Sequence, residues 1–383
     1  MAYQCVVVGT GFIGPVHAEA IVRAGQTLRG IVGKEADDTK AACAAFNAPV
    51  EYADFDAVLA DDAVDAVHVC TPNNLHAPMA KAAMEAGKHV VCEKPLGMNA
   101  AETAELIEVR KATGKAAAVN HNLRFYPVCL HAGDMIAGGD LGEIYHVAGC
   151  YVQDWLLYDT DFNWRVVRGD SGALRSVADI GTHWMDMIQS LTGLSIKSVC
   201  ATLQRVHDTR YRPTGKTDAF SGGTADKSQM EPVGVDTEDD AGFILIELSN
   251  GAKGTLWSSQ ISAGRKNSFR FEVSGSKAAV AWDGEKPNEL WVGHRDRLNE
   301  VLVKDPALMT PRATAASSYP QGHAEGFPDT FKQLFKTFYG QIADGTFATD
   351  PKYPTLEDGH KEIVLCDAIL KSHEERRWVD IEG

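Results

Sequence analysis

Over its first 120 residues the chain alternates short apolar runs with longer stretches in which apolar positions return every three to four residues. The runs Cys5–Val8, Leu28–Val32, Ala66–Cys70, Val90–Cys92 and Ala116–Val119 read as strands buried on both faces. The alanine-rich stretches Pro15–Ala24, Thr39–Phe46, Pro78–Ala86 and Ala100–Thr113 read as helices, with Gly87 and Gly114 as C-terminal stops. Strand and helix in regular turn predict βαβ units, hence a parallel sheet covered by helices on both faces.

Beyond Asn120 the texture changes. A helix is expected near Tyr126–Ile136, a strand at Ile144–Val152, and a further helix over Asp179–Leu191. From Ile196 strands dominate: Val199–Val206, Ala241–Leu248, Lys253–Ser259, Ser268–Ser274, Ala278–Trp282 and Glu289–Gly293. "SNG" at Ser249–Gly251 is a hairpin turn, since Asn and Gly tolerate the positive φ it demands. The polar stretch Pro213–Val233 reads as a long loop, and helices near Phe327–Ala343 and Leu356–Ser372 close the chain. The expected division is 1–120 and 121–383, the second part being α+β with a large, mostly antiparallel open sheet. The last helices can pack back on the first domain.

The length of 383 residues suits two or three domains, and 44% hydrophobic with 23% charged residues suits globular packing. A net charge of -15 with no basic stripe argues against a nucleic-acid partner. No apolar run of the ~20 residues a bilayer requires is seen, and Met1 to Gln4 lead straight into a strand, so no membrane partner and a cytoplasmic location are expected. The eight cysteines are scattered without a C-x-x-C pair and read as buried free thiols.

Against that background "VVVGTGFIG", Val6 to Gly14, acquires meaning. Gly9, Gly11 and Gly14 stand between a strand and a helix as G-x-G-x-x-G, with Phe12 and Ile13 in the turn. Gly9 permits the turn, Gly11 lets a pyrophosphate approach, and Gly14 lets helix pack on strand; the helix N-terminus attracts the anion. The first domain is therefore expected to be a Rossmann domain that binds NAD(P). At the end of the second strand, where an acidic residue would select NAD, the chain has Gly33 and Lys34. A cation there suits a 2′-phosphate and favours NADP, although Glu35 is placed to serve NAD.

"CEKPLGMNAAE" puts Lys94 at the carboxyl end of a strand, where a nicotinamide is expected. "ADIGTHWMD" sets Asp179 and His183 four apart, on one helical face. A metal site with Asp186 added lacks a further ligand, and none is expected. The segment Gln153–Arg168, with Trp155, Trp164 and Arg165, and also Arg124 and His323, suggests a wall for a polyhydroxylated ring. Aromatic faces pack on sugar C–H surfaces while forked donors meet hydroxyls.

Taken in order, Gly9–Gly14, "TPNNLH" (Thr71–His76), "EKP" (Glu93–Pro95), "NHNLRFYP" (Asn120–Pro127) and "DIGTHWMD" resemble the Gfo/Idh/MocA oxidoreductases, named for glucose–fructose oxidoreductase and inositol dehydrogenase. The resemblance covers nearly the whole chain. It implies Lys94, Asp179 and His183 as catalytic residues, with Thr71, Pro72, Asn73, His76, Glu93 and Asn120 lining the cofactor. It also implies hydride transfer between a nicotinamide and a secondary alcohol of a sugar, glycoside or cyclitol. Two alternatives share the fold: a redox-assisted glycosidase or epimerase, and a non-catalytic dinucleotide-binding regulator, which typically lacks the catalytic residues. A homodimer or homotetramer joined through the open sheet is the expected assembly.

Overall fold

The computed structural model describes residues 2–214 and 227–381. The chain divides into two compact units. One comprises Met1–Asn122, Gly169–Gly172 and Pro328–Ile363; the other comprises Leu123–Arg168, Ala173–Phe327 and Val364–Gly383.

The first unit begins β1 (Gln4–Val8), α1 (Ile13–Arg23), β2 (Thr27–Val32), α2 (Ala36–Phe46), α3 (Phe55–Ala60) and β3 (Ala66–Val69). It continues α4 (His76–Glu85), β4 (His89–Cys92), α5 (Ala100–Thr113) and β5 (Ala117–Val119). The sheet is parallel throughout, in the order β2-β1-β3-β4-β5. Beyond β2 an isolated parallel bridge joins Gly30 to Val50. The strand order reverses between β1 and β3, and such a reversal leaves a crevice at the strands' carboxyl ends. The valines of β1, β3 and β4 are buried, which is why these strands read as unbroken apolar runs. Late residues complete this unit. Thr355 bridges Ala118 at the β5 edge, and Phe331, Phe335, Phe338 and Tyr339 are buried.

The second unit contains α6 (Pro127–Ala137), β6 (Ile144–Val152), α7 (Thr182–Thr192), β7 (Ile196–Gln204), β8 (Thr209–Pro213) and β9 (Met230–Gly234). Then follow β10 (Ala241–Leu248), β11 (Lys253–Ser259), β12 (Ser268–Gly275), β13 (Ala279–Asp283), β14 (Glu289–Gly293), β15 (Glu300–Val303) and, at the chain's end, β16 (Val379–Asp380). Nine strands form one sheet in the order β15-β14-β13-β12-β6-β11-β10-β7-β16, with β6–β11 its parallel pair. The core packs α6 and α7 on one face around Trp184, Phe269, Phe271 and Trp282, and the Trp184 indole N–H donates to the Arg270 carbonyl at 2.9 Å. On the opposite face one row of the register reads Phe243, Trp257, Cys150, Arg270, Asp283. Phe243 and Trp257 are exposed there and stack on each other at 6.3 Å.

Two expectations need correction. Asp179–Leu191 is not one α-helix: Val177–Gly181 is a π-helical turn that passes into α7. The wider turn gives no signal in a sequence pattern and occurs mostly at functional sites. The ends of the expected loop Pro213–Val233 pair instead, as the β8–β9 ribbon, while 215–226 lie outside the described residues. Its strands are largely solvent-facing, so no alternation of apolar residues announced them.

Candidate active site

In the first unit, steric space tests the glycine turn. A Cβ on Gly9, at φ +120°, would stand 2.2 Å from the Cys70 carbonyl oxygen, and one on Gly14 would stand 2.0 Å from the Gly9 oxygen. A Cβ on Gly11 would meet nothing within 4 Å, so that side of the backbone is open to approach. Helix α1 starts without a side-chain cap or an acidic residue in its first turn. Its N-terminal dipole thus faces an anion unopposed. At the ends of β3 and β5, Thr71 Oγ1 and Asn120 Oδ1 are buried without a hydrogen-bond partner. These features fit a dinucleotide: a phosphate cradle, and two polar atoms for a ligand to satisfy.

The strand-end loops are braced to one another. His76 puts Nδ1 2.7 Å from the Pro95 carbonyl oxygen and Nε2 2.8 Å from that of Thr71, tying the "TP" turn to the "EKP" turn. Asn73 is spent within the unit, donating to the Ser171 carbonyl at 2.9 Å. Pro72 leads into that turn and Lys94 is half-buried, its backbone N–H donating to Glu93 Oε2 at 3.2 Å. Burial alone would raise the Glu93 pKa. The hydrogen bond from His17, with Lys94 and Asn120, outweighs it and holds the carboxyl below its ordinary value.

The end of β2 differs from the expected site. A side chain on Gly33 would begin 2.8 Å from the Cβ of Asp38, and Gly33 N–H donates to Thr39 Oγ1 at 2.9 Å. The space where the strand-end acid normally sits is taken by the first turn of α2, with Asp38 in it. Lys34 and Glu35 are exposed.

In the second unit the π turn presents Asp179, whose carboxylate accepts from Arg165 Nε at 3.1 Å and Gln260 Nε2 at 2.7 Å. The Arg165 guanidinium lies over the Trp164 ring at 4.3 Å. His183 is buried, 6.1 Å from the ring of Tyr151. The Tyr151 hydroxyl and Gln153 Nε2 each donate to Asn267 Oδ1 at 2.8 Å, and Trp155 Nε1 donates to Gln153 Oε1 at 2.9 Å. Burial pushes the Tyr151 phenol well up, so it stays a neutral donor. Asp179, Arg165 and Trp164 are therefore in contact with one another, while Trp155 is tied to Gln153 and through it to Asn267. The Arg124 guanidinium grips both oxygens of Asp186, and His323 is exposed with its ring on the Gln321 carbonyl of its own loop.

What orders the aromatic segment was not read from the sequence. Arg210 is fully buried and donates to the carbonyls of Leu156, Tyr158 and Asp161 and to Asp240 Oδ1. It staples a segment that has no strand partner of its own. Arg175 pairs with the same carboxylate, and burial lowers the two guanidinium pKa values to about 9 for Arg210 and about 10 for Arg175. Tyr151, Gln260 and Asn267 were likewise missed. Only a buried arginine in a strand-like run, "RYRP", could have hinted at the staple.

Comparison with known proteins agrees with this layout. Residues 3–121 match the model of an oxidoreductase family with an NAD-binding Rossmann fold, and residues 134–381 match its C-terminal alpha/beta domain. The chain is 28% identical to levoglucosan dehydrogenase from Pseudarthrobacter phenanthrenivorans, over 98% of this chain and 97% of that one. It is 25% identical to inositol 2-dehydrogenase from Rhizobium meliloti, over 97% of each. A solved levoglucosan dehydrogenase in complex with NADH and L-sorbose superposes over all of both chains, with TM-score 0.89 and 26% identity. With a glycine cradle on a parallel sheet, a large mixed sheet after it, and both family domains matched, the chain belongs to the Gfo/Idh/MocA family of NAD-binding oxidoreductases.

Proposed function

We propose that this protein is a dehydrogenase that moves a hydride between a nicotinamide dinucleotide and a secondary alcohol of a sugar, anhydrosugar or cyclitol. The observation that carries the reading is the first unit's cradle. Glycines admit no side chain at two positions, the third lies open, and Thr71 and Asn120 hold unsatisfied buried atoms beside Glu93 and Lys94. The full-length likeness to levoglucosan and inositol dehydrogenases supports the substrate class.

The bound nicotinamide supplies the hydride acceptor. His183 takes the hydroxyl proton at a ring nitrogen. Asp179, itself fixed by Arg165 and Gln260, orients that imidazole and stabilises its cation. Lys94 stabilises the alkoxide as it forms. Trp155 and Trp164 offer apolar faces to the ring's C–H surface.

The basic Lys34 favours NADP, whereas Asp38, whose Cβ lies 2.8 Å from where a side chain on Gly33 would begin, favours NAD. Asp38 is fixed by its helix and Lys34 is exposed, so NAD is the cofactor this geometry supports better. The exposed row around Phe243 and Trp257 supports association of copies through the open sheet. Light scattering giving a monomer would remove that part. The main test is a panel of free sugars, anhydrosugars, glycosides and inositols with NAD and NADP, followed at the reduced nicotinamide absorbance. A substrate consumed with no net absorbance change would instead indicate a borrowed and returned hydride.

A further inference from the structure

Behind the glycine turn, five side chains from separate elements are buried and bonded head to tail. Cys5 on β1, His17 on α1, His68 on β3, Glu93 after β4, and Tyr339 on the helix Phe327–Asp344 are at most 6% exposed. His17 Nε2 lies 3.0 Å from Glu93 Oε1, and His17 Nδ1 lies 3.0 Å from His68 Nδ1. His68 Nε2 is 2.6 Å from the Tyr339 hydroxyl, to which the Cys5 thiol donates at 3.1 Å. Phe331 and Phe335 pack edge-on against the imidazoles.

The direction of every bond follows from one end. An ionised carboxylate only accepts, so His17 carries its proton on Nε2 and offers a lone pair at Nδ1. His68 must then donate from Nδ1 and accept at Nε2, Tyr339 must donate to His68, and Cys5 to Tyr339. All donors point toward Glu93. The opposite polarity would need an imidazolium at His17, which is fully buried with Phe331 and Phe335 packed against its ring. The other groups facing Glu93 fit its charge: Asn120 Nδ2 donates to it, Lys94 is cationic, and burial holds the Cys70 and Cys92 thiols neutral. His76 also faces this carboxylate from α4.

We propose that this one-way relay makes Glu93 a permanent buried anion that sets the protein's preference between the oxidised and reduced dinucleotide. The proposal rests on the dinucleotide reading. The oxidised nicotinamide ring carries a positive charge and the reduced ring none, so a fixed anion at the β4 end stabilises the first selectively. Tight hold on the oxidised form with easier release of the reduced form suits an enzyme working toward oxidation. Glu93 meets the cofactor, while His17, His68 and Tyr339 act through it as positioning residues.

Calorimetric titration of NAD+ and NADH into the full chain, Glu93→Gln and Tyr339→Phe tests this. Glu93→Gln should weaken NAD+ by about tenfold or more and leave NADH within about twofold. Tyr339→Phe removes the donor to His68 and should move the ratio the same way by about two- to fivefold. Equal loss for both forms, or an unchanged ratio, would overturn the relay while leaving the dinucleotide reading intact. A parent that binds neither form overturns both. Independently of any variant, imidazole ¹⁵N shifts in the parent should show His17 protonated at Nε2 and His68 at Nδ1. The reverse tautomer on His68 would also overturn it.

Discussion

The two units build their chemistry in opposite ways. The first places its groups at successive strand ends of one parallel sheet, so Gly9–Gly14, Thr71, Glu93–Lys94 and Asn120 reach one edge because topology puts every carboxyl end there. The second assembles its candidate groups from a strand, a π turn, an unpaired segment and the loop after β11, held by buried ion pairs and amide contacts. Sites of the first kind follow from backbone geometry and leave short motifs. Sites of the second kind depend on long-range contacts, and their supporting residues have no fixed spacing.

Four substitutions or conditions break that comparison, the largest first. Arg210→Ala takes one of its two arginine partners from Asp240 and a donor from three carbonyls of the 156–161 segment, and removing one partner of a buried pair costs ~3–5 kcal/mol. Denaturant unfolding should show that loss, and proteolysis should cut first near Trp155–Trp164. Lys94→Ala attacks the first unit's chemistry without touching its fold. A fall of ~10²–10³ in kcat is expected, with dinucleotide affinity retained. Activity near the parent's would remove Lys94 from the mechanism.

Asp38→Asn tests the strand-end substitution, and about a tenfold shift in the NAD to NADP affinity ratio toward NADP is expected from titration of both. An aspartate grafted at Gly33 is a poor alternative, because its Cβ would meet that of Asp38. The smallest effect separates the units by acid. In the first, burial lowers the His89 pKa to about 4, so below its unfolded value near 6.5 the unfolded chain binds more protons and stability falls. In the second, burial raises the Asp239 pKa to about 6, so the native state takes the proton first and gains stability as pH falls through that value. Hydrogen exchange at pH 7 and pH 5 should therefore show protection around His89 falling relative to that around Asp239. Equal changes in both regions would count against these burial effects.

Much of the first unit was legible because its signals are local. Five apolar runs became five parallel strands, and each glycine of the turn proved sterically required or open as its spacing implied. His68 carried a faint signal as the one polar residue inside "AVHV", and His17 followed the glycine turn, but their pairing needed the β1–β3 packing and Tyr339 from far along the chain.

The sequence by itself determined the alternation of elements, the phosphate cradle, and the identity of Lys94, Asp179 and His183 as candidates, because these depend on residue types a few positions apart. The tertiary structure alone decided that the first turn of α2, with Asp38, fills the space beside Gly33 and that a π turn carries Asp179. It also decided that Arg210 staples the aromatic segment and that the relay points at Glu93. Each depends on which surfaces come together when apolar area is buried. Pattern along a chain encodes that burial, but not the partner each polar group finds inside it.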